Sequence, residues 1–276
     1  MSTEEHVQDP RALVFGQAAE EYDAGRSGYA AELVDEVLGY AALDGLTALE
    51  AGAGTGKASV LFAERDVPLV CVEPDPQMAE VLRRNTAGHP RVSVEVSGFE
   101  QWQPGDRRFG LFLAATCWHW FDPARRWDLV HAALAPGGAV ALLWNPHGVL
   151  DPDLHAELGE IDRRYEVASS PHAALAADYG DQAGYWADGD EDPSGWPEAE
   201  CRQDGRFTDL RSLRHGVQVQ YDTERYLSML ASISSYRVLP AEQRERALAE
   251  TGRLLDARGG GIGMLHLTDL FLARRR

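Results

Sequence analysis

Glu50, Gly52, Gly54 and Gly56 stand at alternating positions behind a short, mostly apolar run from Leu46 to Leu49. A buried strand that ends in E-x-G-x-G-x-G makes a tight turn with no Cβ at the three places where backbone must approach a ligand closely. Feeding a helix N-terminus, such a turn builds a nucleotide-like site at the carboxyl end of the first strand of a doubly wound sheet. Two phosphate-binding chemistries fail on spacing. A G-x-x-x-x-G-K-[ST] loop aligned on Gly56-Lys57 would need glycine at Ala51 and a hydroxyl at Ala58. A dinucleotide G-x-G-x-x-G loop starting at Gly52 would need glycine at Lys57.

Three further groups could do chemistry. Glu73 ends a second apolar run 17 residues after Gly56, where an acid can accept hydrogen bonds from both ribose hydroxyls. Trp118-His119-Trp120 follows a fourth apolar run, and open α/β sheets bind ligands beyond the carboxyl ends of their strands. His119 is either a proton-transfer group suited to neutral pH or part of a pocket wall, with His147 as the second titratable candidate. Asp122 stands alone after that run, so no metal site is expected.

The elements that must carry these groups alternate. Helical periodicity covers Tyr29 to Tyr40, Lys57 to Arg65, Gln77 to Arg84 and Pro123 to Leu134. Between them lie strand candidates at 46–50, 68–72, 91–96, 109–115 and 139–144. Asp75-Pro76 reads as a helix N-cap followed by proline at the first helical position. This rhythm predicts an α/β fold with a mostly parallel, doubly wound sheet. It breaks after Trp144. Residues 147–206 start helix-like (Leu154 to Tyr165), then turn acidic and aromatic, with Tyr179, Tyr185, Trp186 and Trp196 needing burial. A strand at 213–221, helices at 226–233 and 241–257, and a closing strand at 264–273 follow. The expected division is an N-terminal helical segment 1–45, a binding core 46–146, a cap insertion 147–206 and a completion of the sheet 207–276.

A net charge of −18 argues against nucleic acid as partner, because phosphate backbones are held by clustered Lys and Arg. Three cysteines without metal spacing suggest reduced thiols, and no run is long enough to span a bilayer. With an acidic N-terminus lacking a signal pattern, the expectation is a cytoplasmic protein off the membrane.

At this point a resemblance becomes specific. Phe15 to Tyr29 is similar to the F-G-x-x-A-x-x-Y-D-x-x-R-x-x-Y opening of bacterial class I S-adenosylmethionine (SAM)-dependent methyltransferases of the trans-aconitate type. The glycine turn, Glu73, His119-Trp120, Leu134-Ala135-Pro136-Gly137-Gly138 and Leu272-Ala273-Arg274 match that group too. The resemblance implies a seven-stranded Rossmann-like sheet, capped by the N-terminal helices and the insertion, with SAM as cofactor. It implies cofactor contacts from Glu50, Gly52, Ala53, Gly54, Gly56, Glu73 and Thr116. Pro74 and Met78 would give apolar surface to the adenine, and Phe99 with Glu100 would reach its amino group. Tyr22 and Arg26 would close over SAM or a substrate carboxylate. Trp118, Trp120, His147 and Tyr29 would line the substrate pocket. The [DN]-P-P-[YF] of amino-methylating nucleic-acid enzymes is absent, since the place after strand four reads Thr116-Cys117-Trp118-His119. The expected activity is methyl transfer to a small molecule by in-line displacement. The alternative is a SAM-binding protein that catalyses another reaction or none.

Overall fold

The computed structural model describes residues 19–20, 23, 28–179, 184–185 and 197–276. Its strands are β1 Ala48–Ala51, β2 Leu69–Glu73, β3 Val92–Val96, β4 Phe109–Ala115, β5 Leu134–Trp144, β6 His147–Val149, β7 Gly184–Tyr185, β8 Phe207–Asp222 and β9 Gly261–Arg275. They form one sheet in the order β3-β2-β1-β4-β5-β9-β8-β7, with β6 also paired to β9. Strands β1 to β5 pair in parallel, and β9 lies antiparallel between β5 and β8. The expected doubly wound sheet of seven strands is present, extended among the described residues by the short β6 and β7.

Strands β1 and β2 are buried throughout, as apolar strands covered on both faces must be. Successive residues of β4 point to opposite layers. Leu111 and Leu113 meet Leu33, Val34 and Val37 of α1 (Ala31–Ala41) and Phe62 of α2 (Ser59–Ala63). Phe112 and Ala114 meet Phe99, Trp118 and the α4 (Arg126–Ala133) residues Trp127 and Val130. Helix α3 (Pro76–Asn85) starts as its sequence predicts, with Asp75 Oδ1 accepting from the N–H groups of Gln77 and Met78 at 2.8 and 3.2 Å.

Several boundaries differ from the periodicity. Helix α5 (Pro152–Tyr165) begins two residues before Leu154, because Asp151-Pro152 repeats the Asp75-Pro76 start. Strand β5 runs from Leu134, and the Pro136-Gly137-Gly138 turn signal lies within it, with Gly137 at φ +77°. Strands β5 and β6 both pair with β9, either side of Asn145-Pro146. Proline has no N–H to give to a ladder, so Pro146 divides what is otherwise one run.

A further core sits over the ends of β8 and β9. Leu154 and Leu158 of α5 share it with Tyr226, Met229 and Leu230 of α7 (Thr223–Ser232), Tyr236 of α8 (Ser234–Arg237), and Ala247 and Leu255 of α9 (Ala241–Ala257). Tyr221, Ile262 and Met264 complete it from the sheet. The first helix of the 147–206 stretch therefore packs with helices of the 207–276 stretch. Helix α6 (Pro197–Asp204) instead buries Cys201 in the layer that holds Trp118. Among the described residues no helix is long and apolar enough to cross a membrane.

Candidate active site

The glycine turn is shaped partly from within. A Cβ on Gly52 would lie 2.8 Å from Cys117 Sγ, and one on Gly56 would lie 2.5 Å from Leu82 Cδ1. Gly54 differs: its Cβ would meet only the Met78 methyl at 3.7 Å, so its φ of +58°, rather than crowding, selects glycine. Of the three, Gly54 alone would give a Cβ no contact tighter than ordinary van der Waals distance among the described residues. Ala53 is buried, and its N–H joins that of Gly52 on the Val72 carbonyl.

Glu50 lies beneath this turn, buried, with one carboxylate oxygen accepting from Ser59 Oγ at 2.6 Å and Cys71 Sγ behind Ser59. Burial pushes its carboxyl up to about 8, the Ser59 hydrogen bond opposing and the Glu73 charge adding. Glu73 faces the turn from the end of β2. Its two oxygens accept the N–H groups of Gly54 at 2.7 Å and Asp75 at 3.0 Å. Burial outweighs those bonds and raises this carboxyl to about 7. A carboxylate has about four acceptor positions, so two backbone bonds fix Glu73 and leave room for two hydroxyl donors. With Gly54 uncrowded among the described residues, the residues present fit a ribose and its sulfur-bearing chain.

The loops after β3 and β4 close the same end of the sheet. Thr116 turns the chain at φ +59°, a strained conformation for a β-branched residue, and its hydroxyl lies 2.8 Å from Tyr29 Oη. The backbone N–H of Thr116 bonds the Leu143 carbonyl at the end of β5. Cys117 donates its thiol to the Ala51 carbonyl at 3.0 Å, and burial raises it far above the ordinary thiol range. Glu100 accepts the Asp122 N–H at 3.1 Å, which ties the β3 loop to the β4 loop. Phe99 is buried between Phe112 and Phe121, at ring separations of 5.2 and 5.1 Å. Trp118, expected in the pocket, is corrected to the core: it is 1% exposed, enclosed by Phe112, Phe121, Trp127 and the Arg126 guanidinium. In the short turn Trp118–Trp120, His119 is exposed and packs on the half-buried Trp120 at 4.5 Å.

Pro74 is half-buried beside Glu73, and Met78 packs with Val81 and Ala19. His147 lies half-buried at the start of β6. Tyr22 and Arg26 lie outside the described residues, as do Trp186 and Trp196. Sequence reasoning passed over Asp23, whose carboxylate accepts from Asn85 Nδ2 at 3.2 Å and lies 3.4 Å from Lys57 Nζ. Asn85 also donates to the Thr55 carbonyl at 3.0 Å, so Asp23 reaches the glycine turn through one side chain. The signal in the sequence is Lys57, the lysine directly after Gly56. Among the described residues no three His, Cys, Asp or Glu side chains group as metal ligands.

Residues 48–138 match a family model described as a methyltransferase domain. An uncharacterised methyltransferase of Mycobacterium tuberculosis is 38% identical over 152 residues, which cover 54% of this chain. The chain spans 59% of that relative's length. An uncharacterised methyltransferase of Schizosaccharomyces pombe is 24% identical over 213 residues, covering 76% of this chain and 73% of its own. Among solved structures, a protein proposed to be a type II methyltransferase, from Anaeromyxobacter dehalogenans, superposes with a TM-score of 0.56 at 19% identity. That match covers 90% of this chain and 97% of the other. At such identity the likeness speaks for the fold, which is the Rossmann-like fold of the methyltransferases.

Proposed function

We propose that this chain, whose residues 48–138 form a methyltransferase domain of the class I, SAM-dependent kind, transfers a methyl group to a small-molecule acceptor. The observation that carries the reading is the Glu73 carboxylate, held by two backbone N–H groups, one of them that of Gly54 in the glycine turn. Bound there, SAM supplies an electrophilic methyl on a cationic sulfur and leaves as a neutral thioether.

The work left to the protein is alignment and exclusion of water. Glu73 accepts the ribose hydroxyls, and Pro74 and Met78 offer apolar surface to the base. The Tyr29–Thr116 pair fixes the tip of β4 at the end of the sheet that would hold SAM. Phe99 and Glu100 act one layer down, by holding the β3 and β4 loops together. Trp120 and His119 form the wall beyond β4. A net charge of −18 disfavours a nucleic-acid acceptor.

Calorimetry with SAM tests the cofactor, and mass spectrometry after incubation with deuterated-methyl SAM and a fractionated bacterial extract tests the transfer. Label in the small-molecule fraction is the expected result. Label confined to protein or nucleic acid overturns the acceptor class. Bound SAM with no label moved favours another reaction on the same fold.

A further inference from the structure

Cofactor binding leaves unexplained a chain of buried polar side chains that ends on His147. That residue opens β6 just beyond the carboxyl end of β5, the side of the sheet on which the glycine turn, Glu73 and Thr116 also lie. It stands opposite His266 in the β6–β9 ladder, and the two rings meet edge to face with centroids 4.4 Å apart and planes at 88°. His266 is buried, with Nε2 3.1 Å from Tyr221 Oη and its ring stacked on Tyr221 at 5.5 Å. Tyr221 packs on Tyr226 at 5.9 Å, and the Tyr226 hydroxyl lies 2.7 Å from His172 Nδ1. His172 Nε2 sits 3.0 Å from Asp162 Oδ2, outside hydrogen-bond geometry. Asp162 also accepts from Ser170 Oγ and, at 3.4 Å, from Tyr236 Oη.

Buried polar groups are costly unless their partners are held in place, and a helical layer this size could be packed with apolar residues alone. Here α5, the loop after it, α7, β8 and β9 each spend a polar side chain on a chain of contacts that orients one half-buried imidazole. The backbone carbonyl of His147 is held too, by the Tyr179 hydroxyl at 3.2 Å.

We infer that His147 is the catalytic group that takes the proton from the methyl acceptor, with His266 and Tyr221 as its positioning residues. This rests on the methyl-transfer reading above and narrows the acceptor to an oxygen or nitrogen still protonated at neutral pH. In the step, the acceptor O–H or N–H bond breaks and its proton goes to a ring nitrogen of His147. The freed electron pair forms the bond to the methyl carbon, and the carbon–sulfur pair returns to sulfur. His266 suits the supporting place, because burial, with the Arg225 guanidinium adding, pulls its ring down to about 4. It stays neutral at pH 7 and neither competes for the proton nor repels a protonated His147. Among the described residues, Tyr221 on β8, Arg225 on α7 (4.9 Å over the Tyr221 ring) and Tyr179 also face the pair.

The test starts from the wild-type protein with deuterated-methyl SAM and the small-molecule fraction of a bacterial extract, with SAM binding measured separately by calorimetry. Label found on oxygen or nitrogen is expected, and label on sulfur or carbon overturns the inference. The acceptor so identified is then assayed with variants. His147→Gln should bind SAM as the wild type does, lose kcat by ~100-fold and lose the rise of kcat with pH. His266→Phe and Tyr221→Phe should keep that rise with a displaced midpoint and a lower kcat, without a matching change in KM. Imidazole added to His147→Ala should restore label transfer, which a purely structural role would not allow. Unchanged kcat and pH profile in His147→Gln, or no rescue by imidazole, overturns the assignment while leaving methyl transfer intact. Failure of the wild type to bind SAM or move label strikes the parent reading instead, and the inference with it.

Discussion

At the scale of single residues, the two buried carboxylates under and beside the glycine turn make opposite demands. Glu73 has to be ionised to accept two hydroxyls in addition to its two N–H donors, yet burial raises it to about 7. SAM affinity should therefore fall as the pH drops from 8 to 6, by at most about tenfold per unit, when followed by calorimetry. Glu73→Ala should weaken binding by about 100-fold, the loss of two hydrogen bonds to a charged group. Equal affinity in the variant would remove the ribose assignment. Glu50 makes no such contact, and its carboxyl, at about 8 against the usual 4.5, binds a proton more tightly in the folded chain. A carboxyl raised on folding favours the native state below its unfolded value, and that contribution is lost as the pH climbs towards the folded value. His266 works the other way, with stability lost as the pH falls from 6.5 towards 4. Above pH 6.5 only the carboxyls act, so Tm should decline between pH 6.5 and 8, corresponding to ~2 kcal/mol or less from Glu50. Glu50→Gln, which keeps a partner for Ser59, should flatten that decline, and thermal scans at both pH values will tell.

At the scale of elements, the three glycines should separate in their behaviour. Gly52→Ala and Gly56→Ala force a Cβ into Cys117 and Leu82, so each should cost ~1–3 kcal/mol of stability in denaturant titrations. Gly54→Ala should cost only ~1–2 kcal/mol of backbone strain, while its methyl intrudes on the cofactor side and weakens SAM binding more than it weakens the fold. The glycine pattern showed where the turn is, but not that two of its members are chosen by the protein's own interior. The same limit explains other places where the reading stopped short. Asp75-Pro76 was legible because a cap acts within three residues of chain, and Asp151-Pro152 carries the same message directly ahead of the apolar stripe that starts at Leu154. Trp118 and His119 are chain neighbours of similar aromatic character, and only the short turn between β4 and α4 decides which one is enclosed. The pairs His147–His266, Tyr221–His266 and Asp23–Asn85 join residues far apart in sequence, so no local spacing could announce them.

At the scale of the whole molecule, the helices α5, α7 and α9 and the polar network inside them stiffen the side of the sheet that carries His147. Asp162→Ala leaves His172, Ser170 and Tyr236 facing an empty place in the core, and should cost ~2–4 kcal/mol. The loss is measurable as a lower denaturant midpoint with SAM affinity retained, because Glu73 and the glycine turn belong to the other end of the strand order. A parallel loss of SAM binding would mean that the two layers fold as one unit.

Strand β9 has one more implication, for how such a chain is made. It lies between β5 and β8, yet it follows both in sequence, and among the described residues β8 pairs only with β9 and the two-residue β7. While the ribosome is still delivering residues before Gly261, β8 has no full-length neighbour and β5 presents an open, apolar edge. Assembly in order of synthesis thus stalls one strand short of closure, with an interval in which that edge can capture another nascent chain. A pause in translation ahead of codon 261 should lengthen that interval and raise the aggregated fraction.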